Sequence, residues 1–483
     1  MARGHAPETM RLPLARSERR LVAWLFVLTA AVLLLFQEGA ITGYDGRVMY
    51  EVTRSIVERQ SVTVPHEWSP VQGLGGHYYG KYGIGLSLVG VCPYAAVHAL
   101  TAGSGRIDAL GEAAVSATMP LITAALVAAI YLLARRLGAR AGPALLVAAG
   151  SVAGTFLLPY GKELFSEPLT ALGIVVGIER TLAGQPAAAG GGLAIAILAR
   201  PQSLAFAPML LFTVARRDGI KGLLHALVPV SASLLLTLVY NLVRFGKPLS
   251  FGYGQEGFTT PFVRGAAGLL LDPAKSVLLF APVVLLVPLA LTRLWRTRRE
   301  RDAFTLITTN LAITFVLTAT WHSWMGGWSW GPRLLIPGLV PAFAAIGPWL
   351  DGRARWAAAV ALLTVGFVAS AATLVVSTQA QQLDTPRPPI GPGIVRQTEL
   401  VGPTVRHSAS KLYQPDPDGT NYLRYLSLWQ VGSARVFKRP GLALAVAGTL
   451  ALVGMVVWSA SRLNRCLQVV ASRQEVALTP DHH

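Results

Sequence analysis

An aspartate beside the first apolar stretch is the first residue of the chain whose position suggests chemistry. Asp45 lies in GYDGRVMYEV, shortly after the apolar run 21–36, where a carboxylate would meet water at the edge of a membrane. A carboxylate held there can serve as a general base or bind a cation. It can also cap the amphipathic helix that Met49, Val52 and Ile56 predict, because Asp is a favoured N-cap residue. Both interpretations are compatible with the sequence.

The segment KELFSEPL contains a second pair of acids, Glu163 and Glu167, between two apolar stretches. Acids this close to hydrocarbon are costly unless they are solvated or paired, so each is a candidate for function. The structural alternatives are that Glu163 pairs with Lys162 and that Glu167 complements the dipole of a helix starting at Pro168. We expect Glu167 to be catalytic and Glu163 to contact a sugar or acceptor.

Two cationic segments complete the candidate site. Lys81 and Tyr82 lie in GGHYYGKYGIGL, whose glycines allow close backbone approach, so that a fixed ammonium could hold a lipid phosphate. Arg200, in ILARPQSLAF, is a further candidate for donor binding. The alternative for the lysine is an aromatic belt with snorkelling cations at the membrane interface.

The tryptophan-rich segment WHSWMGGWSWGPR ends in Arg333 at the mouth of an apolar stretch. Arginine binds phosphate through two parallel hydrogen bonds, and sugars stack on indole faces. We therefore predict that Arg333 holds a phosphate and that His322, Trp328 and Trp330 contact a sugar or acceptor. An interfacial tryptophan belt is the structural alternative.

Composition places these residues in a membrane protein. Of 483 residues, 53% are hydrophobic and 14% are charged, against about 25% charged in soluble domains. The formal charge of +18 comes from short cationic runs between apolar segments, which indicates topology signals rather than nucleic-acid binding. Two distant cysteines, Cys92 and Cys466, predict neither a disulfide nor a metal cluster.

The apolar runs predict an all-α polytopic fold of about 12 transmembrane helices with both termini in the cytoplasm of a bacterial-type inner membrane. Cation-rich short loops set the orientation, and the segment 84–100 is interpreted as re-entrant because a full crossing would invert every later loop. The predicted spans are 21–36, 112–133, 141–160, 168–182, 186–199, 203–215, 222–242, 275–292, 304–320, 334–350, 355–378 and 441–461.

This topology collects the candidate residues on the outer face. Residues 1–378 form a transmembrane catalytic module, 379–440 a turn-rich outer loop, and 441–483 the last helix with a cytoplasmic tail. The module's predicted outer loops are 42–111, 161–167, 243–274 and 321–333. The sequence contains no Walker loop that would anchor nucleotide chemistry and no HExxH zinc motif.

Taken in order, Asp45, YYGKYGIGL, ELFSEPL and WGPRLLIP resemble the C-type membrane glycosyltransferases, which include the protein O-mannosyltransferases and the aminoarabinose transferases. The resemblance implies transfer of a sugar from a polyprenyl-phosphate donor on the outer face, with inversion, to a lipid, glycan or protein acceptor. By the same resemblance Asp45 activates the acceptor, Glu167 is the second acid, and Lys81 and Arg333 hold the donor phosphate.

The sequence departs from the family in one respect. The paired acids usual in the first loop are absent, because Gly46 follows Asp45. The need for a divalent cation is therefore left open, and no other cofactor is expected. Two alternatives remain: a transporter or flippase of a lipid-linked saccharide, which Arg200 would favour, and a non-catalytic envelope assembly factor.

Overall fold

The computed structural model describes residues 15–37, 39–41, 43–69, 71–101, 107–254, 256–295, 297–327, 329–375 and 428–476. Regular structure in these ranges is helical, apart from two isolated β-bridges that join Thr63 to Tyr79 and Gln72 to Tyr78. The α-helices are α1 (Arg16–Leu35), α2 (Tyr44–Arg59), α3 (Gly85–Thr101), α4 (Ile107–Ser116), α5 (Thr118–Arg136), α6 (Ala141–Ala153), α7 (Leu157–Tyr160), α8 (Ser166–Leu182), α9 (Pro186–Ala199), α10 (Ala207–Phe245), α11 (Phe262–Leu271), α12 (Val277–Phe280), α13 (Val287–Leu291), α14 (Arg298–Thr320), α15 (Ile336–Ala344), α16 (Ile346–Trp349), α17 (Arg353–Ser370), α18 (Ala372–Val375) and α19 (Leu428–Val476).

Several of these helices match the dimensions of a bilayer. Five helical stretches within the described ranges are long and apolar enough to cross a membrane: Ile107–Arg136, Pro201–Phe245, Glu300–Thr320, Arg353–Ser370 and Val446–Ser472. Shorter apolar helices of 10–17 residues stand beside them. The chain is therefore an all-α, multi-pass membrane protein, and the count of about 12 crossings stays a prediction.

Several predicted segments differ from the helices that the structure shows. The span predicted at 275–292 consists of α12 and α13 joined by a 3₁₀ turn, Pro282–Leu286, because proline lacks the N–H that would continue the helix. Helix α10 is broken at Gly219, where φ is +71°, between the spans predicted at 203–215 and 222–242. The predicted outer loop 379–440 lies outside the described residues up to 427, and its last part, from Leu428, begins α19.

Close packing of α8 against α9 places one end of each helix next to the other. Small residues line the contact, including Gly173 and Gly177 of α8 and Gly192 of α9, and such residues let helix backbones approach in membranes. Because the two helices are consecutive and antiparallel, the start of α8 lies beside the end of α9. Glu167 and Arg200 are thereby neighbours.

The opposite end of the bundle contains a second set of buried charges. Asp302, at the start of α14, accepts hydrogen bonds from Arg216 and Arg217 at the break in α10. Glu179, near the end of α8, lies 2.5 Å from Arg136 of α5. The basic loops predicted to face the cytoplasm thus meet at one end, away from Asp45 and Glu167.

Hydroxyl groups join α2 to α3 and so fix the loop between them. Thr53 Oγ1 donates to the carbonyl of Ser87 at 2.9 Å, and Ser87 Oγ donates to the carbonyl of Met49 at 2.9 Å. In the loop, a Cβ on Gly83 would lie 2.5 Å from the carbonyl oxygen of Ala199. Glycine therefore lets the segment that carries Lys81 and Tyr82 pack on the end of α9.

Candidate active site

Asp45 lies in the first turn of α2, and its carboxylate points away from the helix backbone. The N-cap is Gly43, with no side-chain cap hydrogen bond, so the interpretation of Asp45 as a helix cap is wrong. Instead, Oδ1 accepts a hydrogen bond from the Tyr82 hydroxyl at 2.6 Å, and Oδ2 accepts one from an Arg333 Nη2 at 2.7 Å. Two partners from distant segments thus fix the orientation of this carboxylate.

The residue after Asp45 explains why a second acid is absent. A Cβ on Gly46 would lie 2.6 Å from the carbonyl oxygen of Leu164 and 3.2 Å from its Cβ. A side chain at this position would push α2 away from the turn that precedes α8. Gly46 therefore allows α2 to start next to Glu167.

Glu167, in the first turn of α8, is 2% exposed and lies among arginines. Its Oε1 lies 2.5 Å from Arg200 Nη1 and 3.7 Å from Arg333 Nη1. Arg333 thus stands between the two acids and contacts both of them. The position between the acids, which a bridging cation would take, is filled by a guanidinium.

Lys81 forms an ion pair with an acid that the sequence analysis did not single out. Its Nζ lies 2.6 Å and 2.7 Å from the two carboxylate oxygens of Glu256, in the connection between α10 and α11. The ring of Tyr253, from the same connection, lies 5.4 Å from this ammonium. The connection between α10 and α11 therefore reaches across the site to the loop between α2 and α3.

Arg244, near the end of α10, is a fourth cation at the site and is buried. It donates hydrogen bonds to the carbonyl of Gly80 and, at 2.5 Å, to Asn241 Oδ1, and its guanidinium packs on the ring of Tyr240. No carboxylate partner is found for it among the described residues. Its bond to Gly80 holds the residue next to Lys81 in the chain.

These side chains line one cavity of about 610 Å³. Four cations, Lys81, Arg200, Arg244 and Arg333, face it together with three carboxylates, Asp45, Glu167 and Glu256. Its walls are otherwise largely apolar and come from several helices, as Met49, Ile174, Phe206, Ile313 and Leu317 show. The space is large enough for a sugar and combines charged groups with surface suited to hydrocarbon.

The charges set the protonation of the central groups. Burial favours the neutral form of Asp45, but the charge of Arg333 and the hydrogen bonds from Tyr82 and Arg333 outweigh it and hold the pKa of this carboxyl below its usual value. Burial and the neighbouring Asp45 carboxylate raise the pKa of Tyr82, which keeps its phenol protonated. Asp45 is therefore ionised at neutral pH and can accept a proton.

The tryptophan-rich turn is organised around a buried lysine. Lys275, in the connection between α11 and α12, donates to the carbonyls of Gly327 at 3.2 Å and Ser329, and its Nζ lies 3.0 Å from Ser329 Oγ. From the same turn, the carbonyl of Gly326 accepts a hydrogen bond from Arg333 Nε at 2.9 Å. The turn thus connects Lys275 to the arginine that contacts Asp45.

Seven of the residues predicted from the sequence line the cavity together. They are Asp45, Lys81, Tyr82, Glu167, Arg200, His322 and Arg333. Two lie elsewhere: Glu163 lines a small separate cleft with Gln37, and Trp330 packs on Phe280, 5.6 Å between ring centroids. Trp328 lies outside the described residues.

The structure adds functional candidates that the sequence analysis did not name. Glu256 and Tyr253 lie in FGYGQEGF, a glycine-rich stretch with aromatic and acidic residues that could have marked it. Trp321 lines the cavity and contacts Tyr253 with 5.4 Å between ring centroids. For metals, the described residues contain no group of three or more His, Cys, Asp or Glu side chains placed to share an ion.

Comparison with family models finds no match to the chain, and the search of curated proteins finds none either. Among solved structures, the chain is similar to ArnT from Cupriavidus metallidurans bound to undecaprenyl phosphate, with 14% identity and a TM-score of 0.48, over 92% of this chain and 77% of that one. It is also similar to the archaeal oligosaccharyltransferase AglB from Archaeoglobus fulgidus in complex with an inhibitory peptide and a dolichol-phosphate.

The AglB match has 12% identity and a TM-score of 0.47, and it covers 86% of this chain and 60% of that one. The ArnT structure contains undecaprenyl phosphate, and the AglB structure contains a dolichol-phosphate. At this identity and TM-score, the donor, the acceptor and the reaction have to be argued from this chain's own residues.

Proposed function

We propose that the chain is a membrane glycosyltransferase that moves a sugar from a polyprenyl-phosphate donor to a hydroxyl of a lipid, glycan or protein acceptor. The reaction takes place at the outer face of a bacterial-type cytoplasmic membrane and inverts the anomeric carbon. The main support for the proposal is the cavity. In it Asp45, which is ionised and accepts hydrogen bonds from Tyr82 and Arg333, faces the same space as four cations.

Each group of the cavity has a role in this reaction. The acceptor oxygen attacks the anomeric carbon while the bond from that carbon to the phosphate oxygen breaks, and the acceptor proton passes to Asp45. The phosphate gains charge as it leaves, and Lys81, Arg200 and Arg333 stabilise that charge, with Tyr82 donating a hydrogen bond nearby. A single displacement of this kind inverts the configuration of the sugar.

Glu167 acts by orienting cations as well as by its charge. It contacts both Arg200 and Arg333 and is almost completely buried. Removal of one partner from such a buried set leaves charges unpaired, which is strongly unfavourable. We therefore assign Glu167 to the second acidic position and expect it to set the geometry of the phosphate-binding arginines.

The cavity walls suit a lipid donor. Ile313 and Leu317 of α14 line the same cavity as the charged groups. The hydrocarbon chain of the donor can therefore contact apolar side chains next to the cations that bind its phosphate. Arg200, the feature that favoured a transporter, pairs with Glu167 in this cavity. The residue therefore fits the transferase proposal without a separate substrate path.

Sugar transfer by membranes that contain the protein tests the proposal, with a panel of radiolabelled polyprenyl-phosphate sugars as donors. We expect wild-type protein to consume one donor and Asp45→Asn to lower that rate by about 10²–10⁴-fold, since a general base is lost. Glu167→Gln should also lower the rate, whereas Glu67→Gln, in an exposed 3₁₀ turn, is the matched control. If no donor is consumed and Asp45→Asn complements a deletion strain, catalysis is ruled out in favour of transport or assembly.

A further inference from the structure

The ion pair between Lys81 and Glu256 places an anion where the proposed donor phosphate must bind. The two carboxylate oxygens lie 2.6 Å and 2.7 Å from Nζ, so both contact the same ammonium. Phosphate oxygens accept charge-assisted hydrogen bonds from a lysine ammonium as carboxylate oxygens do. Glu256 and a donor phosphate therefore compete for the same N–H groups.

Glu256 differs from the other two carboxylates of the cavity. Asp45 is held by Tyr82 and Arg333, and Glu167 is buried between two arginines. The Glu256 side chain is 34% exposed, and Lys81 is its one hydrogen-bonding partner in the described part of the chain. It is thus the carboxylate that can leave its position with the smallest disturbance of its neighbours.

The backbone that carries Glu256 is fixed on either side of it. The carbonyl of Gly257 accepts a hydrogen bond from the backbone N–H of His322 at 2.8 Å, and Thr260 N donates to the carbonyl of Thr320 at 3.0 Å. On the other side, Tyr253 packs edge-on against Trp321. Rotation of the Glu256 side chain alone can therefore release Lys81, without movement of the loop.

We infer that Glu256 occupies the phosphate position on Lys81 until an anionic lipid displaces it. The inference rests on the proposed function and adds a competition step to it. A lipid phosphate replaces the displaced carboxylate with another anion, whereas a neutral lipid offers the ammonium no such partner and leaves the pair intact. Glu256 therefore lowers the affinity for lipids that carry a phosphate and does not change the affinity for neutral lipids.

The competition between Glu256 and a lipid phosphate for Lys81 also affects the affinity of the protein for that lipid. An ion pair with both side chains partly exposed is weak, so it yields to a phosphate but still lowers the apparent affinity for it. We expect Glu256→Gln, which removes the competing charge and keeps the shape, to lower the Kd for a lipid phosphate by about two- to fivefold. Loss of an ordinary supporting residue would have the opposite sign.

Binding of undecaprenyl phosphate and of neutral undecaprenol to the purified full-length protein in nanodiscs tests the inference. Four proteins are compared: wild type, Glu256→Gln, Lys81→Met and the double variant. Tighter binding of the phosphate by Glu256→Gln, weaker binding by Lys81→Met, and no difference between Lys81→Met and the double variant would support it. In the same series, affinity for undecaprenol should stay unchanged.

Glu67→Gln is the matched control, because it removes an acid of the first outer loop that lies outside the cavity. Equal tightening by Glu67→Gln would show a general effect of net charge and overturn the specific role of Glu256. If the wild type binds the phosphate and Glu256→Gln binds it equally or more weakly, the inference fails and the transferase proposal stands. If neither protein binds it, both fail. Glu256→Ala repeats the test with a second side chain.

Discussion

At the residue scale, the site is a set of carboxylates each paired with a cation from another part of the chain. The sequence predicted Asp45, Lys81, Glu167 and Arg333 because each lies where an apolar stretch meets a polar one. It did not predict that Lys81 pairs with Glu256, 175 positions later, or that Arg244 binds Gly80, 164 positions earlier. Such pairings depend on helix packing, and no local pattern encodes them.

The hydrogen bond from Tyr82 to Asp45 has a measurable effect on pH dependence. This bond lowers the pKa of Asp45, so Tyr82→Phe should raise it. Since Asp45 must be ionised to accept a proton, activity is lost as pH falls through its pKa. We therefore expect the acidic limb of the pH–rate profile to move to higher pH in Tyr82→Phe, measured as kcat/KM for sugar transfer.

Tyr78→Phe provides the control for this experiment, since its ring contacts His66 in the same loop and lies outside the cavity. Its profile should match that of the wild type. An acidic limb at the same pH in Tyr82→Phe and wild type would contradict the role of Asp45 as the base.

At the element scale, helix ends and turns place the charged groups. The apolar runs predicted most of the helices, because a membrane span needs about 20 apolar residues. The prolines between α12 and α13 and the glycine in α10 set breaks that hydropathy alone does not locate. The role of Lys275 was also missed, because the segment 275–292 was interpreted as one span. In the structure this lysine precedes α12 and holds the turn that leads to Arg333.

Lys275→Met should loosen the tryptophan-rich turn. The carbonyls of Gly327 and Ser329 would lose a buried donor, at a cost of about 1–3 kcal/mol for each group left unpaired. We expect faster hydrogen–deuterium exchange in the peptide that covers 321–333 and a lower kcat, because Arg333 is no longer held against Asp45. Lys247→Met, at an exposed position, should change neither, and unchanged exchange in Lys275→Met would contradict the prediction.

At the scale of the whole molecule, charges gather at the two ends of the helical bundle. One end contains the cavity, and the other contains the pairs of Asp302 with Arg216 and Arg217 and of Glu179 with Arg136. The sequence predicted this separation from the basic loops, because arginine and lysine favour the cytoplasmic side. It could not decide the path of 84–100 from hydropathy, since 17 apolar residues are at the short limit for a crossing.

An ion pair between α1 and α5 provides evidence on whether 84–100 crosses the membrane. Glu18, at the start of α1, lies 2.6 Å from Arg135, at the end of α5, so these two helix ends lie at the same end of the bundle. An even number of crossings must separate them. The apolar run 21–36 predicts one crossing by α1, and the stretch Ile107–Arg136 is long enough for one, so with these two crossings α3 between them adds none. We therefore predict that Glu67 and Lys221 face opposite sides of the membrane.

Cysteine labelling of intact cells tests this topology in a protein whose native Cys92 and Cys466 are replaced by serine. With a maleimide that does not cross membranes, Glu67→Cys should react and Lys221→Cys should react only after permeabilisation, since both positions are exposed. Asp351→Cys, in another basic loop, should behave like Lys221→Cys. If α3 crossed the bilayer instead, Glu67→Cys and Lys221→Cys would react alike, because every loop after α5 would be inverted, and the shared outer location of Asp45, Glu167 and Arg333 would have to be abandoned.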